Sequence, residues 1–145
     1  GNLVKLRAAK NSKVEELYAK CNETITEGVS VLFNDGYYHD FRLTIEDQIN
    51  LEAVRAQIES GAQKVLYHET GKVVQFFDAD DIKRLIAAAN KHRLYHTTYF
   101  NILKHCINNM YNIEEVNGVN YGDSIDRFDV SNDIKKLLKE SRNGW

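Results

Sequence analysis

Ile82, Ala89, His96, Leu103 and Met110 recur every seven residues, and Leu85, His92, Tyr99 and Cys106 fill a second seam position. Ile86, Phe100 and Ile107 widen the stripe. That spacing lays one apolar stripe along one face of a long helix, in the manner of a coiled coil. The chain has 145 residues and no proline, so its strongest helix breaker is absent from the whole sequence. A continuous helix over 79–111, rising 1.5 Å per residue, would be about 50 Å long. The β-branched pair Thr97-Thr98 and the polar layer at His92 and His96 mark where a break would fall. Asp78-Ala79-Asp80-Asp81 places acids at its start, where the helix dipole is positive.

The elements before this helix are shorter. Leu3 to Lys10 looks helical but lacks a clean apolar stripe. Ser12-Lys13-Val14-Glu15 fits a capping box, so a helix is expected to start there, with Val14, Leu17, Tyr18, Cys21 and Ile25 on its apolar side and Gly28 at its end. Val29–Phe33 and Tyr37–Leu43 read as strands around Asn34-Asp35-Gly36, a strong hairpin turn signal. Thr44-Ile45-Glu46-Asp47 resembles a second N-cap, followed by Ile45, Ile49, Leu51, Val54 and Ile58 and closed by Gly61. Lys64–His68 and Lys72–Phe77 form a second hairpin around Glu69-Thr70-Gly71. After Tyr111 the patterning weakens. Ser131-Asn132-Asp133 is read as capping a short final helix with Ile134, Leu137 and Leu138, and with Lys135, Lys136, Lys139 and Arg142 on its solvated face. Asn143-Gly144-Trp145 is read as a frayed end.

The resulting fold class is α+β: helix, hairpin, helix, hairpin, long helix, with a small antiparallel sheet packed on helices and a short C-terminal helix. Residues 1–11 read as a helical extension or linker, 12–122 as a single α+β domain, and 123–145 as a tail. Leu3–Lys10 is expected to be the end of a helix arriving from upstream. Gly1 in place of Met suggests a fragment or a remnant of cloning.

Charge is nearly balanced, 19 Lys+Arg against 21 Asp+Glu, which argues against a nucleic-acid-binding domain. No apolar run reaches the roughly 18 residues of a membrane span, and Gly1-Asn2-Leu3-Val4-Lys5 has no signal-peptide apolar region. Cys21 and Cys106 are too few for a disulfide framework and read as buried free thiols.

Candidate chemistry is sparse. His92 and His96 stand at i and i+4, the spacing of a metal-binding pair, but the acid of a zincin motif is missing and Arg93 lies between them. The competing reading makes them, with Tyr99, an interface seam: histidines satisfied by hydrogen bonds or facing a neighbouring chain, in which case acid would weaken that interface by charging them. Thr70-Gly71-Lys72 ends like a phosphate-binding loop, yet Leu66 and Val73 break the pattern. His105 and Cys106, adjacent on a helix, point about 100° apart. Tyr37, Tyr38 and His39 cluster on the first hairpin, and tyrosine suits binding surfaces because it joins a rigid ring to a polar tip. They are read as a binding surface, against the alternative that such aromatics line the core. No cofactor or metal is expected.

Several stretches taken in order carry a resemblance. They are Lys13-Val14-Glu15-Glu16-Leu17 leading to Cys21-Asn22-Glu23-Thr24-Ile25 and Gly28; Asp35-Gly36-Tyr37-Tyr38-His39-Asp40-Phe41-Arg42-Leu43-Thr44; Glu46-Asp47-Gln48-Ile49-Asn50-Leu51; Val65-Leu66-Tyr67-His68 with Gly71; and Tyr111-Asn112-Ile113-Glu114-Glu115-Val116. Over residues 13–122 the chain resembles a family of uncharacterised domains in tail-associated proteins of bacteriophages and prophages. The resemblance implies a non-enzymatic structural or assembly module of a tail fibre or baseplate. It implies a virion protein made in the bacterial cytoplasm. Its partners would be copies of itself, a trimer being usual for tail fibres, and other tail proteins. It transfers no catalytic residues. The alternative is a receptor- or glycan-binding module using the tyrosine-rich hairpin, and a third reading is a metal-dependent hydrolase built on His92 and His96.

Overall fold

The computed structural model describes residues 1–143; Gly144 and Trp145, read with Asn143 as a frayed end, lie outside the described residues. The order is α1 (Asn2–Glu27), β1 (Val29–Leu32), β2 (Tyr38–Phe41), α2 (Ile45–Glu59), β3 (Lys64–Tyr67), β4 (Gln75–Asp78), α3 (Ala79–Asn108), α4 (Ile113–Asn117), a 3₁₀ turn at Ile125–Arg127 and α5 (Asn132–Asn143). The fold class is α+β, as the periodicities predict, but the strands form two separate two-stranded antiparallel sheets, β1–β2 and β3–β4.

One expectation about a helix start changes. Ser12 caps nothing: α1 runs unbroken from Asn2 to Glu27. No glycine or proline interrupts Leu3–Lys10, and Ser12 is exposed, so its hydroxyl does not compete with the helical backbone. The long helix also keeps its continuity through His92, His96 and the threonine pair. Thr97 Oγ1 donates to the Leu94 carbonyl, a local bond that a helix tolerates. Thr44 caps α2 as its sequence indicates. Its hydroxyl accepts from the Asp47 amide at 3.0 Å, and the Asp47 carboxylate accepts from the Thr44 amide at 3.0 Å.

The chain divides into two compact units, Thr24–Arg93 and a second made of Gly1–Glu23 with Leu94–Trp145. In the Thr24–Arg93 unit both hairpins send alternate residues inward. Val31, Phe33 and Phe41, with Val65, Tyr67 and Phe77, form a core with Leu51 and Val54 of α2 and with Ile82, Leu85 and Ala89 of α3. A two-stranded sheet is marginal in water by itself, so this burial is what holds each hairpin. Gly28 enters the first hairpin at φ +87°, and the Leu43 amide donates to the Thr26 carbonyl beside it. In the other unit Leu17 packs with Tyr99, Ile102, Leu103, Cys106 and Ile107 of α3 and with Val116, Val119, Ile125 and Leu138. Ile125 and Leu138 come from the segment after 122, so residues read as a tail supply part of this core. Among the described residues no helix is long and apolar enough to cross a membrane.

Candidate functional site

The first hairpin turns at Asn34-Asp35-Gly36, where the Asp35 carboxylate accepts from the Tyr37 amide at 2.9 Å. This turn projects Tyr37 and Tyr38, which are 72% and 69% exposed. His39 is taken out of that surface. Its ring stacks on Phe33 at 4.6 Å between centroids and meets Phe77 edge-on. Nδ1 lies 2.5 Å from the Glu69 carboxylate and Nε2 lies 2.8 Å from Asp35. Lys72 closes on the other oxygen of Glu69 at 3.3 Å. The correction has a simple cause. In a strand alternate side chains share a face, so His39 goes with buried Phe41 while Tyr38 points outward.

Burial opposes charge on His39, but the bonds to Glu69 and Asp35 outweigh it and hold the ring above its ordinary pKa. Burial likewise opposes charge on Glu69, and the bonds to His39 and Lys72 outweigh it, so that carboxyl lies below its ordinary value. Both ring nitrogens are spent on carboxylates, so this histidine joins two turns and offers no nitrogen to a substrate.

The seam residues His92, His96 and Tyr99 have partners within the chain. In the Thr24–Arg93 unit His92 Nε2 lies 2.9 Å from the Thr24 carbonyl oxygen. In the other unit His96 Nδ1 lies 2.7 Å from the Tyr121 hydroxyl, with the two rings stacked. Tyr99 is buried; its hydroxyl donates to the Asp123 carbonyl and accepts from the Gly122 amide at 2.9 Å. Much of the heptad stripe is covered by this chain's own cores, with His92 and His96 half-buried. Among the described residues no three His, Cys, Asp or Glu side chains converge as metal ligands. Burial pushes the Tyr99 phenol up to about 12 and raises Tyr121 and both thiols, Cys21 and Cys106. These groups keep their protons at neutral pH.

Sequence reasoning missed two surfaces. The first is the outward side of the hairpins. Leu32 pairs with Tyr38 and Leu66 with Phe76, and all four are exposed. Val73, before β4, is 86% exposed, and Val74 beside it is also exposed. The alternation of Leu66 with buried Val65 and Tyr67 was the available signal. The second is a cleft of about 450 Å³ in the Gly1–Glu23 and Leu94–Trp145 unit, lined by Tyr95, Tyr99 and Tyr121 and by Lys135, Lys139 and Arg142. Arg142 lies over the Tyr95 ring at 4.9 Å and donates to its hydroxyl at 2.8 Å. Cations at i, i+4 and i+7 of α5 were the signal for that wall; only Lys136 of the set read as a solvated face lies off it. Tyr95 already stacks on Tyr99 at 6.2 Å, so the cleft's rings are engaged with one another.

No protein-family model matches this chain, and neither a curated protein nor a solved structure matches it.

Proposed function

We propose that this chain is a non-enzymatic structural and assembly module of a phage or prophage tail, acting in a tail fibre or baseplate as a homo-oligomer and with other tail proteins. The resemblance of residues 13–122 supplies the setting. One observation carries the assembly role: each hairpin shows an exposed apolar cross-strand pair on its outward face, Leu32 with Tyr38 and Leu66 with Phe76. Contiguous exposed apolar side chains mark interaction surfaces, and covering them yields roughly 25 cal/mol per Å² removed from water. The proposed place of action is the virion tail.

Sedimentation velocity over a wide concentration range tests this reading. Reversible self-association is the expected result. A chain that stays monomeric at the highest attainable concentration overturns it. The exposure of Tyr37 and Tyr38 at a hairpin tip favours a second reading, a receptor- or glycan-binding surface. A glycan array with the chain and its Tyr37→Ala and Tyr38→Ala variants decides that one. Binding abolished by either change supports it, and no binding removes it.

A further inference from the structure

We propose that two copies of this chain join through the free edge of β4, pairing antiparallel across a two-fold axis that passes through Gln75. The inference rests on the assembly reading and names its surface. β4 pairs with β3 on one side only. On its other side no backbone hydrogen bond reaches Val73–Phe77 among the described residues. Unpaired edges of this kind are templates for another strand. Val73, Val74, Gln75 and Phe76 are all exposed, and the segment has no proline to block a ladder.

The occupant follows from self-complementarity. Phe76 and Asp78 share one face of β4; Lys72 and Val74 precede the strand, in a bend and the irregular segment after it, and would continue that alternation once pairing extends β4 back to Lys72, with a cation at one end and a carboxylate at the other. A two-fold pair centred on Gln75 sets Lys72 opposite Asp78 of the second copy and Val74 opposite Phe76 of the second copy, and each match occurs twice. Neighbouring registers lose this. Centring on Phe76 sets Val74 against a carboxylate, and centring on Val74 sets Lys72 against an aromatic ring. In the Gln75 register Asp78 would lie between Lys64, its cross-strand partner on β3, and the second copy's lysine. Lys72 holds Glu69 at 3.3 Å and has further N–H groups to give. Val74 and Phe76 would then continue the apolar strip begun by Leu66 into the second copy.

Sedimentation velocity on the full chain, on Lys72→Glu, on Asp78→Lys and on an equimolar mixture of the two variants tests the pairing. The wild type is expected to form a dimer. Each single reversal sets like charges opposite one another twice, so its dissociation constant should rise about tenfold or more. The mixture should recover a dimer, because each variant then meets opposite charge; misfolded variants would not recover. An assembling wild type whose affinity neither reversal changes, one whose mass is that of a trimer, or a mixture that fails to recover although both variants keep the wild-type circular dichroism and melting cooperativity overturns the β4 pairing and leaves the assembly reading standing. A wild type that is monomeric throughout overturns both.

Discussion

A neutral imidazole carries one N–H, yet His39 meets a carboxylate oxygen at each ring nitrogen. The arrangement is complete only when the ring is charged. His39 is held above its ordinary value of 6.5, so its contribution to stability is full below pH 6.5 and is lost as pH rises through the folded-state value. Glu69 is held below its ordinary 4.5, so its share is full above that pH and is lost as pH falls through the folded value. The clamp between the two turns is therefore strongest between about pH 4.5 and 6.5. Thermal melts from pH 5 to 9 should show the wild type losing stability on the alkaline side. His39→Phe should flatten that slope and lower stability by about 1–3 kcal/mol, since buried Glu69 loses its ring partner. An unchanged slope in the variant would show that other groups set the pH dependence. The sequence placed His39 with Tyr37 and Tyr38 by adjacency. Alternation in β2 already separated His39 from Tyr38, but nothing local named Glu69, thirty residues away.

At the scale of elements, turn chemistry and caps were legible because they are local. Asp35-Gly36 and the Thr44–Asp47 box stand where the residues indicated. The same logic misplaced a helix start at Ser12, because a capping pattern matters only where the backbone has reason to leave the helix. Glycines show how much more the surroundings decide. Gly28 and Gly36 share positive φ, +87° and +86°. A Cβ at Gly36 meets nothing within 4 Å, whereas one at Gly28 would lie 1.8 Å from the Phe41 carbonyl oxygen. Gly36→Ala should cost about 1–2 kcal/mol of backbone strain. Gly28→Ala should cost more, about 3 kcal/mol or above, since the first hairpin must shift to admit the methyl. Chemical denaturation of the two variants makes the comparison; equal losses would place Gly28 away from β2.

Each of the two units has its own core, and both thiols belong to the one made of Gly1–Glu23 and Leu94–Trp145. Cys21 donates to the His96 carbonyl at 3.4 Å, and burial raises both thiol pKa values. Thiol labelling at pH 8 should therefore run at least about a hundredfold slower than in the unfolded chain and rise with denaturant, reporting the opening of this unit. Rapid labelling of the native chain would mean that its core is not closed. At this scale the sequence by itself determined a chain of long helices and two hairpins, though the second is joined by the longer segment 68–74 and not by Glu69-Thr70-Gly71 alone. Periodicity, caps and turn residues act over a few neighbours, and no proline opposes them. The tertiary structure decided what each face meets. The heptad stripe reads identically whether it is covered by its own chain or by another, and here Leu17, Val116, Val119 and the hairpin interiors cover much of it. The bare strand faces, the His39 clamp and the cation-lined cleft likewise depend on residues distant in sequence becoming neighbours, and no local pattern encodes that meeting.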